Sequence, residues 1–137
     1  MNLGALALLV FDERCTLPAG VPDVSGTPAQ LLALLELACV HRLEHLLDAP
    51  DAVIVIVRVD CRHCAPVAPC AEIHITGWIE RNADTEAVVH VHAQDSREQV
   101  CEGRIHVAIM RRSDVATAID RKRHAQLRHE LFAPRDA

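Results

Sequence analysis

Residues Thr27 to Leu47, TPAQLLALLELACVHRLEHLL, constrain the fold more than any other stretch of the chain. Leu31, Leu32, Leu34, Leu35, Ala38, Cys39, Leu43, Leu46 and Leu47 recur at helical spacing, over a length that no strand reaches. Thr27 suits a helix cap and Pro28 the first helical position, while Asp48, Ala49 and Pro50 end the pattern. The apolar stripe is wider than a helix resting on one surface needs, so this helix is expected to be mostly enclosed.

At about 100° per residue, Gln30, His41, Glu44 and His45 gather on one side of that helix. Glu36 falls elsewhere, with Leu32, Val40, Leu43 and Leu47 as its angular neighbours. A carboxylate among leucines loses hydration, so it is there for a partner or for chemistry. The simpler reading is a boundary residue whose head reaches water, and the helix alone favours it.

A chain of 137 residues fits one domain with a substantial core. Aromatics are only 2% of it, so Ala, Val, Leu and Ile must fill that core. The formal charge of −5, with no basic run before the C-terminal tail, argues against nucleic acid as the main partner. The apolar run Leu3 to Phe11 is too short to span a bilayer, and it lacks the flanks of a signal sequence. The chain therefore reads as cytoplasmic and not membrane-bound, with its six cysteines as thiols.

Residues 4 to 16 look like a first strand, and Leu17 to Gly26 like a loop. Asp51 to His63 is the clearest strand. Strict alternation puts Val53, Val55, Val57, Val59, Cys61 and His63 on its inner face. After a turn at Ala65 to Pro69, three more alternating stretches follow: Ala71 to Glu80, Thr85 to Gln94 and Glu98 to Met110. Their inner faces carry Ile73, Ile75 and Ile79, then Val89 and Val91, then Cys101, Ile105 and Val107. Short turns imply antiparallel pairing in meander order.

An antiparallel sheet with one apolar face needs a cover, and the long helix is the element available. The expected architecture is α+β, a curved antiparallel sheet wrapped around one central helix, in a single domain over residues 1–137. Its parts are 1–26 (first strand and loop), 27–48 (helix), 51–112 (four strands) and 113–137 (a charged, locally basic helix or tail).

That element order is similar to the hotdog fold, and two motifs carry the resemblance further. TPAQLLALLELACV resembles the central helix of fluoroacetyl-CoA-thioesterase-like proteins, in which a Thr and a later Glu are followed by small residues. VRVDCRHCAPVAPC resembles that family's strand end, a His followed by a small residue, Ala and a Pro-containing turn. The resemblance covers roughly residues 27 to 112. It implies an acyl-CoA thioesterase whose catalytic set falls on Thr27, Glu36 and His63. The spacing from Thr27 to Glu36 is one residue longer than the family's. Where the family carries Gly-x-His-x-Arg, this chain reads Gly103-Arg104-Ile105-His106-Val107. The aromatic lid of the fluoroacetyl-specific enzyme has no counterpart in so aromatic-poor a chain, so that specificity is not implied.

The residues are suited to thioester hydrolysis, which needs an activated water or nucleophile, a base, and donors for the developing oxyanion. Glu36 would be nucleophile or base, and His63 its partner from a strand end. The N–H groups at the helix start would suit an oxyanion, with Thr27 orienting substrate or serving only as a cap. No cofactor is expected beyond coenzyme A as part of the substrate, and acyl-carrier-protein thioesters stay open. A metal set of Cys61, His63, Cys64, Cys70 and His74 matches no strong spacing and is split between faces, so no metal is expected. Trp78, His74, His90, His92 and His106 gather on the outer face, which reads as solvated or oligomer-facing. An open sheet edge favours a homodimer, possibly a tetramer. A non-catalytic hotdog domain that binds an acyl ligand or serves assembly is the other class.

Overall fold

The structure, a computed structural model, describes residues 10–16, 28–47 and 49–132. In chain order the elements are β1 (Val10–Thr16), α1 (Pro28–Leu46), β2 (Ala52–His63), β3 (Glu72–Asn82), β4 (Glu86–Gln94), β5 (Gln99–Arg111) and α2 (Arg112–Phe132). Five strands form one antiparallel sheet in the order β1-β3-β4-β5-β2. The expected meander holds for β3, β4 and β5. It fails for β2, which pairs with β5 at the far edge instead of with β3. The chain from Cys64 to Ala71 makes that crossing, with Val67 sunk into the core at 3% exposure.

The core lies between α1 and one face of the sheet. Leu31, Leu35, Ala38, Cys39 and Leu43 of α1 meet Ile73, Ile75, Val89, Val91, Ile105 and Val107 of the strands, all buried. These are the inner faces that alternation assigns in β3, β4 and β5. β2 departs from strict alternation. Its register against β5 shifts between Ile56 and Arg58, so Val57 sits in a bulge. Before the bulge Ile54 and Ile56 turn to the core; after it Val59 and Cys61 do. The strand thus changes phase once, and Val57 is left 58% exposed.

The helix is also less enclosed than its composition suggests. One stripe is buried, while Leu37 is 66% exposed and Leu32, Leu34 and Val40 are only half-buried. A single sheet covers a single side of a helix, so an apolar surface wider than that stripe stays uncovered within one chain. α2 follows β5 directly and has no buried residue. No described helix is long and apolar enough to cross a membrane.

Candidate functional site

Thr27 lies outside the described residues. Glu36, on α1, is half-buried and not enclosed by leucines. It lines an open, mainly apolar depression of about 300 Å³ with Ala33, Leu37, Val40 and Ile56. His63 ends β2 opposite Cys101, with its side chain exposed. No hydrogen bond or ion pair joins Glu36 to His63 among the described residues. The Glu36 carboxylate is near enough to act on the Cys61 thiol, opposing its ionisation. Cys61 and His63 occupy alternate positions of β2, so they share a face.

Cys61 is half-buried and lies against the buried Cys101. Its thiol bonds to that of Cys101. That hydrogen bond eases ionisation of Cys61, against burial and the nearby Asp60 and Glu36. The same bond, then burial, pushes the Cys101 thiol far above the ordinary range. Cys61 is therefore the member that ionises first. All six cysteines are free thiols. Alternation puts both Cys61 and Cys101 inward, but their meeting depends on the β2–β5 register, which no sequence pattern fixes.

The other cysteine and histidine candidates are dispersed. Cys64 turns its thiol onto the carbonyl of Arg62. His74 is on the outer face, bonded to Asp12 and to Gln94. The set Cys61, His63, Cys64, Cys70 and His74 thus has no common centre.

The outer face of the sheet is a lattice of cross-strand pairs. The register sets Trp78 beside His90 and His90 beside Arg104, and in the next row His92 beside Glu102 and Glu102 beside Arg62. Trp78 stacks on His90 with centroids 4.3 Å apart and planes 7° from parallel. Arg104 holds Glu80 through two bonds, of 2.6 and 3.1 Å, which keeps the Glu80 carboxyl below its usual range. Gln99, then Arg62, do the same for Glu102. Desolvation, then His92, lowers the affinity of His90 for a proton. An open cleft of about 500 Å³ runs along this face between Asp60, Arg62, His90, Glu102 and Arg104.

Residues 12–113 match the model of the FlK family, described as fluoroacetyl-CoA-specific thioesterase. A search of curated proteins finds no match. Among solved structures, a mutant of the fluoroacetyl-CoA-specific thioesterase FlK in complex with fluoroacetate and CoA superposes with a TM-score of 0.71 at 15% identity, over 80% of this chain and 98% of that one. A hot-dog-like protein from Thermanaerovibrio acidaminovorans gives 0.77 at 18% identity, over 89% and 97%. A Thermus thermophilus hypothetical protein, a thioesterase superfamily member, gives 0.78 at 13% identity, over 88% and 94%. The antiparallel sheet folded over α1 is thus the hotdog architecture.

Proposed function

The chain belongs to the FlK family of fluoroacetyl-CoA-specific thioesterases, and from that membership we propose that it hydrolyses a small or medium acyl-CoA thioester using Glu36 and His63. One observation carries the reading: Glu36 of α1 lines an open, mainly apolar depression together with Ile56 of β2, the strand that ends at His63.

In this scheme Glu36 either takes a proton from water as that water attacks the thioester carbonyl, or attacks the carbonyl itself. The negative charge passes to the carbonyl oxygen, where the N–H groups at the start of α1 would meet it. Collapse breaks the C–S bond and His63 supplies the proton to the departing sulfur, releasing coenzyme A. On the water route the carboxylic acid forms in the same step. On the nucleophile route an acyl–Glu36 anhydride remains, which a water then hydrolyses to the acid and the free Glu36 carboxylate. Thr27 would orient the substrate at the helix start.

The apolar floor of the depression beside Glu36 suits an acyl chain, and the exposed Leu37 at its side leaves it open for a second copy to complete. CoA bound to a mutant of FlK supports the same substrate class here.

The test begins with a hydrolysis screen over short, branched and aryl acyl-CoAs. On a substrate that the wild type turns over, Glu36→Gln should lower kcat by at least ~10²-fold, the usual size of a general-base effect. His63→Ala should cost about as much, and the double variant little more, because groups acting as a unit are not additive. The second reading, a non-catalytic acyl-binding or assembly domain, draws on the missing bond between Glu36 and His63. An unchanged kcat in Glu36→Gln would count for it, or for a site elsewhere.

A further inference from the structure

On the side of the sheet away from α1, three side chains converge that thioester hydrolysis does not use. His90 and His92 alternate along β4 and so share the outer face. Glu102 stands opposite His92 on β5. The two Nε2 atoms are 3.1 Å apart. A carboxylate oxygen of Glu102 joins them with all three ligand atoms within 4.8 Å of one another, and all three residues are half-buried.

The spacing between the nitrogens is informative. Two metal–nitrogen bonds of about 2.0–2.1 Å at a tetrahedral angle hold their nitrogens roughly 3.3–3.4 Å apart. The imidazoles are therefore within a few tenths of an ångström of that separation, a shift that side-chain rotation readily supplies.

The surroundings hold the rings in place. Trp78 stacks on His90 and also on His92, the latter at 5.4 Å and 23°. Gln99 donates from Nε2 to Glu102 at 3.1 Å and supports that ligand from outside; its contact with Nδ1 of His92, at 3.0 Å, belongs to the metal-free ring, since Nδ1 carries the proton once Nε2 holds an ion. Such outer-shell bonds orient a ligand set. The nearby cations are engaged: Arg104 with both oxygens of Glu80, and Arg62 with one oxygen of Glu102. The second Glu102 oxygen faces Gln99.

We propose that His90, His92 and Glu102 form a binding site for a divalent first-row transition ion of the zinc type. The ligands are the two Nε2 atoms and one carboxylate oxygen, with water in the fourth position. Two imidazoles and a carboxylate suit zinc, copper or nickel; calcium and magnesium require mostly oxygen. The two Nε2 atoms are within hydrogen-bond distance of each other, and the ion would take the place of that contact. The site departs from the expectation, drawn from cysteine and histidine spacing alone, that the chain binds no metal.

Trp78 is the chain's single tryptophan, so its emission reports this site directly. The experiment uses the full chain without a histidine tag, stripped with a chelator. Zinc is followed by calorimetry and by melting temperature, and copper by Trp78 fluorescence. One ion per chain, a raised Tm with zinc and quenching by copper are expected, because an ion bound only by the folded state stabilises it. His92→Gln and Glu102→Gln should each weaken binding by more than the ~10–100-fold that loss of an outer-shell partner costs. If His92→Gln fails to fold, Glu102→Gln decides alone. Two results would overturn the proposal. One is neither heat nor a Tm change with zinc at a large molar excess. The other is undiminished binding in the variants, which would locate the ion at other histidines.

Discussion

Gly103 lies so close to Cys61 that a Cβ added to it would sit 2.5 Å from the Cys61 Cα and 2.8 Å from its sulfur. The same Cβ would be 2.1 Å from the backbone oxygen of Asp60. Two of these obstacles are backbone and cannot rotate away. Gly103 is thus the position that lets β5 and β2 approach and brings Cys61 over to Cys101. Gly103→Ala should destabilise the fold by at least the ~1–3 kcal/mol typical of overpacking. It should also loosen the β2 edge, which a denaturant melt and hydrogen exchange on β2 amides would register. A stability equal to wild type would mean that β2 can move outward at little cost.

Thiol chemistry should sort by depth. Cys39 is fully buried, and that burial pushes its thiol up to about 12. Cys101 is equally buried, its thiol hydrogen-bonded to that of Cys61. Cys64 and Cys70 are exposed. Under native conditions a maleimide followed by mass spectrometry should modify Cys64 and Cys70 first and Cys39 and Cys101 last. Since the thiolate is the reactive form, Cys61 should precede Cys101. Labelling of all six at one rate would mean that the α1–sheet core opens on the timescale of the reagent.

The sequence made the helix and the inner faces of three strands legible because both are periodic. Ile73, Ile75, Ile79, Val89, Val91, Ile105 and Val107 are buried as alternation requires. Periodicity failed at Val57, since a bulge adds one residue without a Gly or Pro to mark it. For Glu36 the helix favoured a boundary residue over an enclosed carboxylate, and Glu36 is half-buried beside an open depression, because one sheet leaves that side of the helix uncovered. Register was the other silent quantity. The pairs His92–Glu102 and His63–Cys101 follow from strand order and offset, and neither can be read from one strand. His90-Val91-His92 did show in sequence as outward histidines, but not as converging nitrogens.

Acid sensitivity should trace in part to the β4–β5 turn. Asp95 accepts the backbone N–H groups of Arg97 at 2.8 Å and Glu98 at 2.9 Å, and these hold its carboxyl below the usual range. A carboxylate with a lowered folded pKa contributes stability that is complete above its unfolded pKa, near 3.9. It is lost as pH falls through the lower folded value. Asp95→Asn keeps an acceptor and removes the titration. The variant should lose less stability than wild type between about pH 4 and pH 2, measured as melting temperature against pH. Parallel curves would remove Asp95 from the acid response.

Assembly should depend on the uncovered side of α1. Leu37 is 66% exposed and Val57 58% exposed, and Leu37 and Ile56 both line the depression beside Glu36. Among the described residues β2 is an edge strand whose outer backbone groups have no partner strand in the sheet. An isologous contact along β2 would join two sheets and set the α1 helices side by side, covering Leu37 and enclosing Glu36. Burying one such leucine contributes roughly 1.5–3 kcal/mol, and a twofold contact contains it twice. Leu37→Glu replaces that gain with a like-charge pair. It should raise the dimer dissociation constant at least ~100-fold, about 2.8 kcal/mol, and move the protein to monomer in light scattering at micromolar concentration. Circular dichroism should stay that of a folded chain, because Leu37 makes no part of the buried core. If the pocket is completed across the dimer, hydrolysis should fall with the dimer fraction and return at high protein concentration. A wild type that scatters as a monomer would rule out this assembly and leave Glu36 open to solvent.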